Sequence, residues 1–208
     1  MTKKITIKNC QVINEGEIFE SDLLIEDGRI SKIDSSIETQ GDVIDAKGLY
    51  LMPGVIDDQV HFREPGLTER GSIKTESLSA IAGGTTSFMD MPNVLPPTLS
   101  LDLWREKISI AEQNASANFS FYMGTSNTNI DEIKAIDPKE VCGIKIFMGA
   151  STGNLLVDNE ESLNNLFKES PVIITTHCED TPMIKDLEEK YLNEFGPEIP
   201  VDMHADIR

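Results

Sequence analysis

Cysteine is scarce in this sequence, and basic residues are outnumbered. Cys10, Cys142 and Cys178 are odd in number and scattered. They give no disulfide framework and fit a reducing cytoplasm. No apolar run reaches the ~18 residues of a membrane span. Met1-Thr2-Lys3-Lys4 leads straight into alternating residues without an apolar leader core, so neither a membrane nor a secretory route is expected. Lys and Arg together number 18 against 36 Asp and Glu, for a net charge of −18. Such a surface repels a phosphate backbone, so nucleic acid is not an expected partner. Short repeats and low-complexity tracts are also missing.

What is present changes character near residue 52. The first fifty residues read as β. Ile5, Ile7, Cys10 and Val12 follow an alternating pattern, and Leu23-Leu24-Ile25 is separated from Ile30 and Ile33 by Asp27-Gly28. An Asp-Gly pair between apolar runs predicts a hairpin, because both residues tolerate positive φ. Val43-Ile44 makes another short strand. From Leu51-Met52-Pro53-Gly54 onward, short strands alternate with helices. Strands are expected at 55–57, 85–91, 119–123, 143–148 and 172–176, the last of buried type. Helices are expected at 72–82, 101–112, 130–136, 159–169 and 181–193. This alternation means βαβ units and a parallel sheet.

An open doubly wound sheet and a barrel both satisfy that pattern. No phosphate-cradling Gly-rich loop or dinucleotide fingerprint follows the first strand of the alternating part. Polar residues follow the strands instead: His61 and Arg63 after the first, Asn93 after the second, His177 after the fifth. Functional groups at several C-terminal strand ends belong to a barrel. The fold class expected is therefore α/β, a partial TIM (β/α)8 barrel behind a small β-sandwich segment. The segment covers 1–52 and lacks its C-terminal strands. The barrel part covers 53–208 and holds about five βα units. A barrel closes with eight strands, so the chain is expected to be truncated.

Four strings carry candidate chemistry. In Asp57-Asp58-Gln59-Val60-His61-Phe62-Arg63-Glu64-Pro65-Gly66, residues 59 and 61 point the same way from an extended backbone and could reach one metal. The competing reading is a surface turn with an incidental histidine, with Arg63 paired to Glu64 or Glu69. Met91-Pro92-Asn93 is an ordinary turn signal when taken alone. Gly143-Ile144-Lys145-Ile146-Phe147-Met148 places a lysine in an apolar run, where it must be paired, neutral or snorkelling. Ile173-Ile174-Thr175-Thr176-His177-Cys178 ends a strand on an imidazole, a common zinc ligand. Cys178 follows His177, should point elsewhere, and reads as structural. His204 reads as a surface residue.

The first of these strings resembles the amidohydrolase signature Asp-x-His-x-His, and Phe-Arg-Glu-Pro-Gly with Met-Pro-Asn is similar to dihydroorotases. The resemblance covers nearly the whole chain. It implies that Arg63 and Asn93 bind the carboxylate of dihydroorotate, which a guanidinium matches with two parallel bonds. It implies two zinc ions per subunit, with Lys145 carboxylated and bridging them. His61 would complete the first site and His177 the second. Gln59 stands where the family has the first histidine, and an amide oxygen is a weaker zinc ligand than imidazole. A sixth-strand histidine and the proton-shuttle aspartate of the eighth strand are absent, so the chain should be inactive alone.

The activity implied is reversible hydrolysis of (S)-dihydroorotate to N-carbamoyl-L-aspartate by metal-activated hydroxide, a step of pyrimidine biosynthesis. The alternatives are another cyclic amidase, such as an allantoinase or dihydropyrimidinase, and a non-catalytic dihydroorotase-like partner protein. A small-molecule substrate, a cytoplasmic location and room for a homodimer complete these expectations.

Overall fold

A computed structural model describes residues 3–149 and 153–208. The chain divides into two compact units, Met1–Gly54 and Val55–Arg208.

The first unit is a single β-sheet. Its strands are β1 (Lys4–Asn14), β2 (Glu17–Glu26), β3 (Arg29–Asp34), β4 (Asp42–Asp45) and β5 (Tyr50–Leu51). The order is β3-β2-β1-β4, and β5 also pairs with β1. Two hairpins build it. The turn between β2 and β3 is the predicted Asp27-Gly28, with φ of 49° and 77°. The turn between β1 and β2 is Glu15-Gly16, with φ of 50° and 81°. That pair gives a weaker hairpin signal, because a glutamate Cβ opposes the left-handed region that Asp and Asn tolerate. Ile7, Cys10, Val12, Leu23 and Ala46 make the buried cluster. Asp22 is the buried polar tie. Its carboxylate accepts from the Lys8 ammonium and from the backbone N–H groups of Asn9 and Ile37. Those bonds, the one to Lys8 first, hold its pKa down from 3.8 to about 2.

The second unit alternates strands and helices. In chain order these are β6 (Val55–Val60), α1 (Ile73–Ala82), β7 (Thr85–Asp90), α2 (Leu101–Asn114), β8 (Asn118–Phe121), β9 (Met123–Gly124), α3 (Ile130–Lys134), β10 (Ile144–Phe147), α4 (Glu160–Glu169), β11 (Ile174–His177), α5 (Thr181–Phe195) and α6 (His204–Ile207). The strands form two parallel sheets, β6-β7-β8 and β11-β10-β9. The expected third strand is split by Tyr122. On one side of this break β8 pairs with β7, and on the other β9 pairs with β10. Tyr122 N–H itself bonds Asp90 O, and Met123 N–H bonds Gly143 O. Across the two sheets the strands therefore follow one another in chain order as five parallel staves.

Local chemistry sets the ends of the helices. Ser72 and Thr75 form a capping box at α1, and Glu64 Oε2 accepts from Ile73 N–H in the same turn. Ser100, Asn159 and Asp180 cap α2, α4 and α5 through their side-chain oxygens. Phe88, Phe121, Met123, Ile144 and Ile146 from the strands share one core with Trp104, Ala111, Ile133 and Leu166 from the helices. Each large side chain so buried contributes ~1.5–3 kcal/mol. The edges are less covered. Ile56 on β6 is 63% exposed and Ile173 beside β11 is 67% exposed. The 172–176 strand is therefore half-buried rather than buried, because no described strand pairs with its outer side.

Candidate active site

The parallel register places His61, Asn93 and His177 at or past the C-terminal ends of their strands, with Lys145 inside β10. His61 directly follows β6, whose Val60 is level with Asp90 of β7, and Asn93 lies three residues past Asp90. Lys145 is level with Gly124 of β9 and Thr175 of β11, and His177 is the last residue of β11, level with Phe147. Two local groups result.

The first group joins the turns after β6 and β7. His61 Nδ1 lies 2.8 Å from Asn93 Oδ1, and the Arg63 Nη1–H donates to Asn93 O at 3.4 Å. Neither Glu64 nor Glu69 pairs with Arg63: Glu64 binds the start of α1, and Glu69 faces Arg70. Arg63 holds φ = 69°, an unusual backbone for a non-glycine residue. Gly66 follows at φ = 82°, where a Cβ would strike the backbone oxygen of Leu95 in the turn after β7. Leu95 N–H in turn bonds Pro65 O at 3.1 Å. Pro65-Gly66 is thus a close approach of two segments of the chain.

The second group lies on β10 and β11. Lys145 alternates with the core residues Ile144 and Ile146, so it projects from the opposite face together with Phe147. Its ammonium sits 5.1 Å from the Phe147 ring centroid, and that ring lies 6.5 Å from the His177 ring at 27°. Lys145 is only 3% exposed, and burial pushes its pKa below the ordinary lysine value, with Cys178 opposing. His177 Nε2 is 3.5 Å from Glu179 Oε1, which also accepts from Arg208. The Cys178 sulfur lies 2.7 Å from Thr176 Oγ1 and 3.8 Å from the Met148 sulfur. His204 begins α6 and is exposed.

Gln59 lies within β6 and is exposed. Between Asp57 and Val60 a bulge puts one extra residue on β6 opposite Phe88–Asp90 of β7. This interrupts the strict alternation that would aim residues 59 and 61 alike. Among the described residues, no three His, Cys, Asp or Glu side chains converge as a metal site. The groups that could serve a cation here are the His61 Nε2 left open by the Asn93 bond, the His177 imidazole and, once deprotonated, the buried Lys145 amine.

Known proteins resemble this chain in sequence and fold. The chain is 33% identical to a dihydroorotase of Methanosarcina mazei over 98% of its own length and 45% of that protein's. It is 37% identical to an allantoinase of Solibacter usitatus over 70% of this chain and 32% of the relative. Its fold superposes on an L-hydantoinase (dihydropyrimidinase) from Arthrobacter aurescens with a TM-score of 0.86. That match has 30% identity and covers 94% of this chain and 45% of that one. The chain belongs to the cyclic amidases of the amidohydrolase family. No protein-family model matches it. The chain spans less than half the length of these relatives. The five staves of this amidohydrolase are those of a TIM barrel. No described helix is long and apolar enough to cross a membrane.

Sequence reasoning missed one feature packed beside these turns. Asp90 and Lys107 form a wholly buried ion pair at 2.7 Å directly beneath the His61 and Asn93 turns. The signal was available, since Trp104, Lys107 and Ala111 fall on one helical face and all three are buried.

Proposed function

We propose that the whole protein is a dihydroorotase, opening and closing a six-membered cyclic amide that carries a carboxylate. The observation that carries this reading is Arg63. Its guanidinium is half-buried beside His61 and Asn93, and among the described residues no carboxylate lies within ion-pair distance of it. A half-buried cation at a strand end, without a carboxylate partner, suits an anionic substrate group. Hydantoin, allantoin and dihydrouracil carry no carboxylate, and dihydroorotate does.

The roles of the other residues follow. Asn93 Oδ1 accepts from the Nδ1–H tautomer of His61, which keeps the Nε2 lone pair free and fixes the ring plane. Lys145, buried and so more readily neutral, is suited to take up carbon dioxide as a carbamate, replacing a cation with a two-oxygen anion. His61, Lys145 and His177 would hold zinc, with Gln59 as a weaker neighbour. Zinc, when bound, polarises an amide carbonyl and makes water a stronger acid. Arg63 would hold the ring by its carboxylate and so fix the orientation of the scissile amide.

Arg63→Met in the whole protein tests the reading. It should raise KM for dihydroorotate by the equivalent of ~2–5 kcal/mol while zinc content holds. An unchanged KM removes Arg63 from carboxylate binding and the dihydroorotase reading with it.

A further inference from the structure

Asp90 closes β7 and is completely buried. Its Oδ1 accepts two backbone N–H bonds, from Phe62 at 2.9 Å and from Met91 at 3.0 Å. Phe62 sits between His61 and Arg63, and Met91 lies two residues before Asn93. One carboxylate oxygen therefore grips both turns of the first group. Oδ2 makes no hydrogen bond of good geometry and faces the Lys107 ammonium at 2.7 Å. Lys107 reaches in from α2, also completely buried, and donates to Met91 O at 2.9 Å. Its ammonium stands 4.7 Å from the Phe121 ring centroid, and Phe62 packs on Phe88 at 4.5 Å between centroids.

A buried ion pair of this kind is a poor source of stability. The desolvation of two charges commonly cancels their attraction, and apolar replacements of similar volume often cost nothing. What it does here is hold geometry. Arg63 occupies the left-handed backbone region, which persists in a non-glycine residue only where its surroundings over-determine it. The N–H immediately before Arg63 is the one Asp90 holds. Leu67 N–H to Arg63 O, at 3.1 Å, secures the other side.

We propose that Asp90 and Lys107 are positioning residues: a buried charge clamp that sets the Arg63 turn against Asn93, and so sets selectivity for the carboxylate-bearing ring. This rests on the dihydroorotase reading for its substrate, though not for its geometry. Neither residue touches substrate. Both act through the backbone of Phe62 and Met91.

The test is the double variant Asp90→Asn with Lys107→Met in the whole protein, with Asp90→Asn alone as the single-change control. The double change removes both charges, nearly conserves volume and keeps an oxygen able to accept from Phe62 and Met91. Two readouts are taken on the folded protein. The first is the ratio of kcat/KM for dihydroorotate over dihydrouracil, which lacks the carboxylate. The second is amide hydrogen exchange at Phe62, Arg63 and Asn93 relative to the β7 and β8 interiors. The clamp predicts a selectivity ratio lowered by about tenfold or more, within what small misplacements of positioning groups cost. It also predicts faster exchange confined to the two turns. A merely structural pair would lower the melting temperature and raise exchange throughout the sheet while the folded enzyme kept its selectivity, and that result overturns the proposal. Unchanged selectivity with unchanged exchange overturns it as well. If the unsubstituted protein does not turn over dihydroorotate, the function assigned above fails. The clamp is then judged on exchange alone: acceleration confined to the turns supports it, and uniform or absent acceleration rejects it.

Discussion

Asn93 shows how a residue can be legible in the sequence while its geometry is not. Met-Pro-Asn marked it, and the structure adds the 2.8 Å bond that makes it the partner of His61. Gln59 is the reverse case. It sits in the string that was read, yet the bulge at Asp57–Val60 disturbs the alternation on which its aim was inferred. Pattern reading assumes a regular pleat, and bulges near functional strand ends are where that assumption fails. Asp22 could not be picked out at all, because its three partners come from Lys8, Asn9 and Ile37, far away along the chain. Its depressed pKa has a consequence with a definite sign. The stabilisation is fully present above the ordinary value of 3.8 and is lost as pH falls towards about 2. For a side chain this buried the contribution is about 2 kcal/mol. Acid unfolding followed by circular dichroism should therefore show Asp22→Asn with a flatter stability profile between those pH values. An identical profile for both proteins would show that Asp22 is not held as described.

At the scale of elements, the helices of the second unit were legible as spans, while their caps, Ser72, Ser100, Asn159 and Asp180, are what the structure adds. Strand ends were less legible. β8 and β9 were read as one strand, because a one-residue break at Tyr122 leaves no mark in composition. β10 was read with its lysine inside, and it packs that way. Ile144 and Ile146 enter the core and Lys145 leaves on the other face, so only the strand's alternation separates a core residue from a site residue. If buried Lys145 is the carbamate former proposed here, 13C-labelled bicarbonate should give a carbamate carbon signal in the zinc-loaded whole protein. The signal should vanish in Lys145→Met, along with most of the bound zinc. Full zinc loading in Lys145→Met, without any carbamate signal in the parent, would dismiss that role.

At the scale of the whole molecule, the change of grammar near residue 52 and the parallel five-stave order were both legible, because hydrophobic period and connection length depend on topology alone. Exposure at the sheet edges was not, since an apolar run reads alike in a central strand and at an edge. Ile56 and Ile173 lie at opposite edges and are mostly exposed. Unpaired apolar edges invite association. Ile56→Lys with Ile173→Lys should reduce self-association of the 208-residue chain in light scattering, while each change shifts stability by no more than ~0.5 kcal/mol. Equal scattering would mean that these edges are not the sticky surface.

The most direct test of the account is a comparison of kcat/KM for dihydroorotate, allantoin and hydantoin on the zinc-loaded whole protein. A site built around an unpaired Arg63 should favour dihydroorotate by roughly 100-fold or more, because rings without a carboxylate leave the half-buried guanidinium unmet. Turnover of allantoin or hydantoin equal to or above that of dihydroorotate would contradict it.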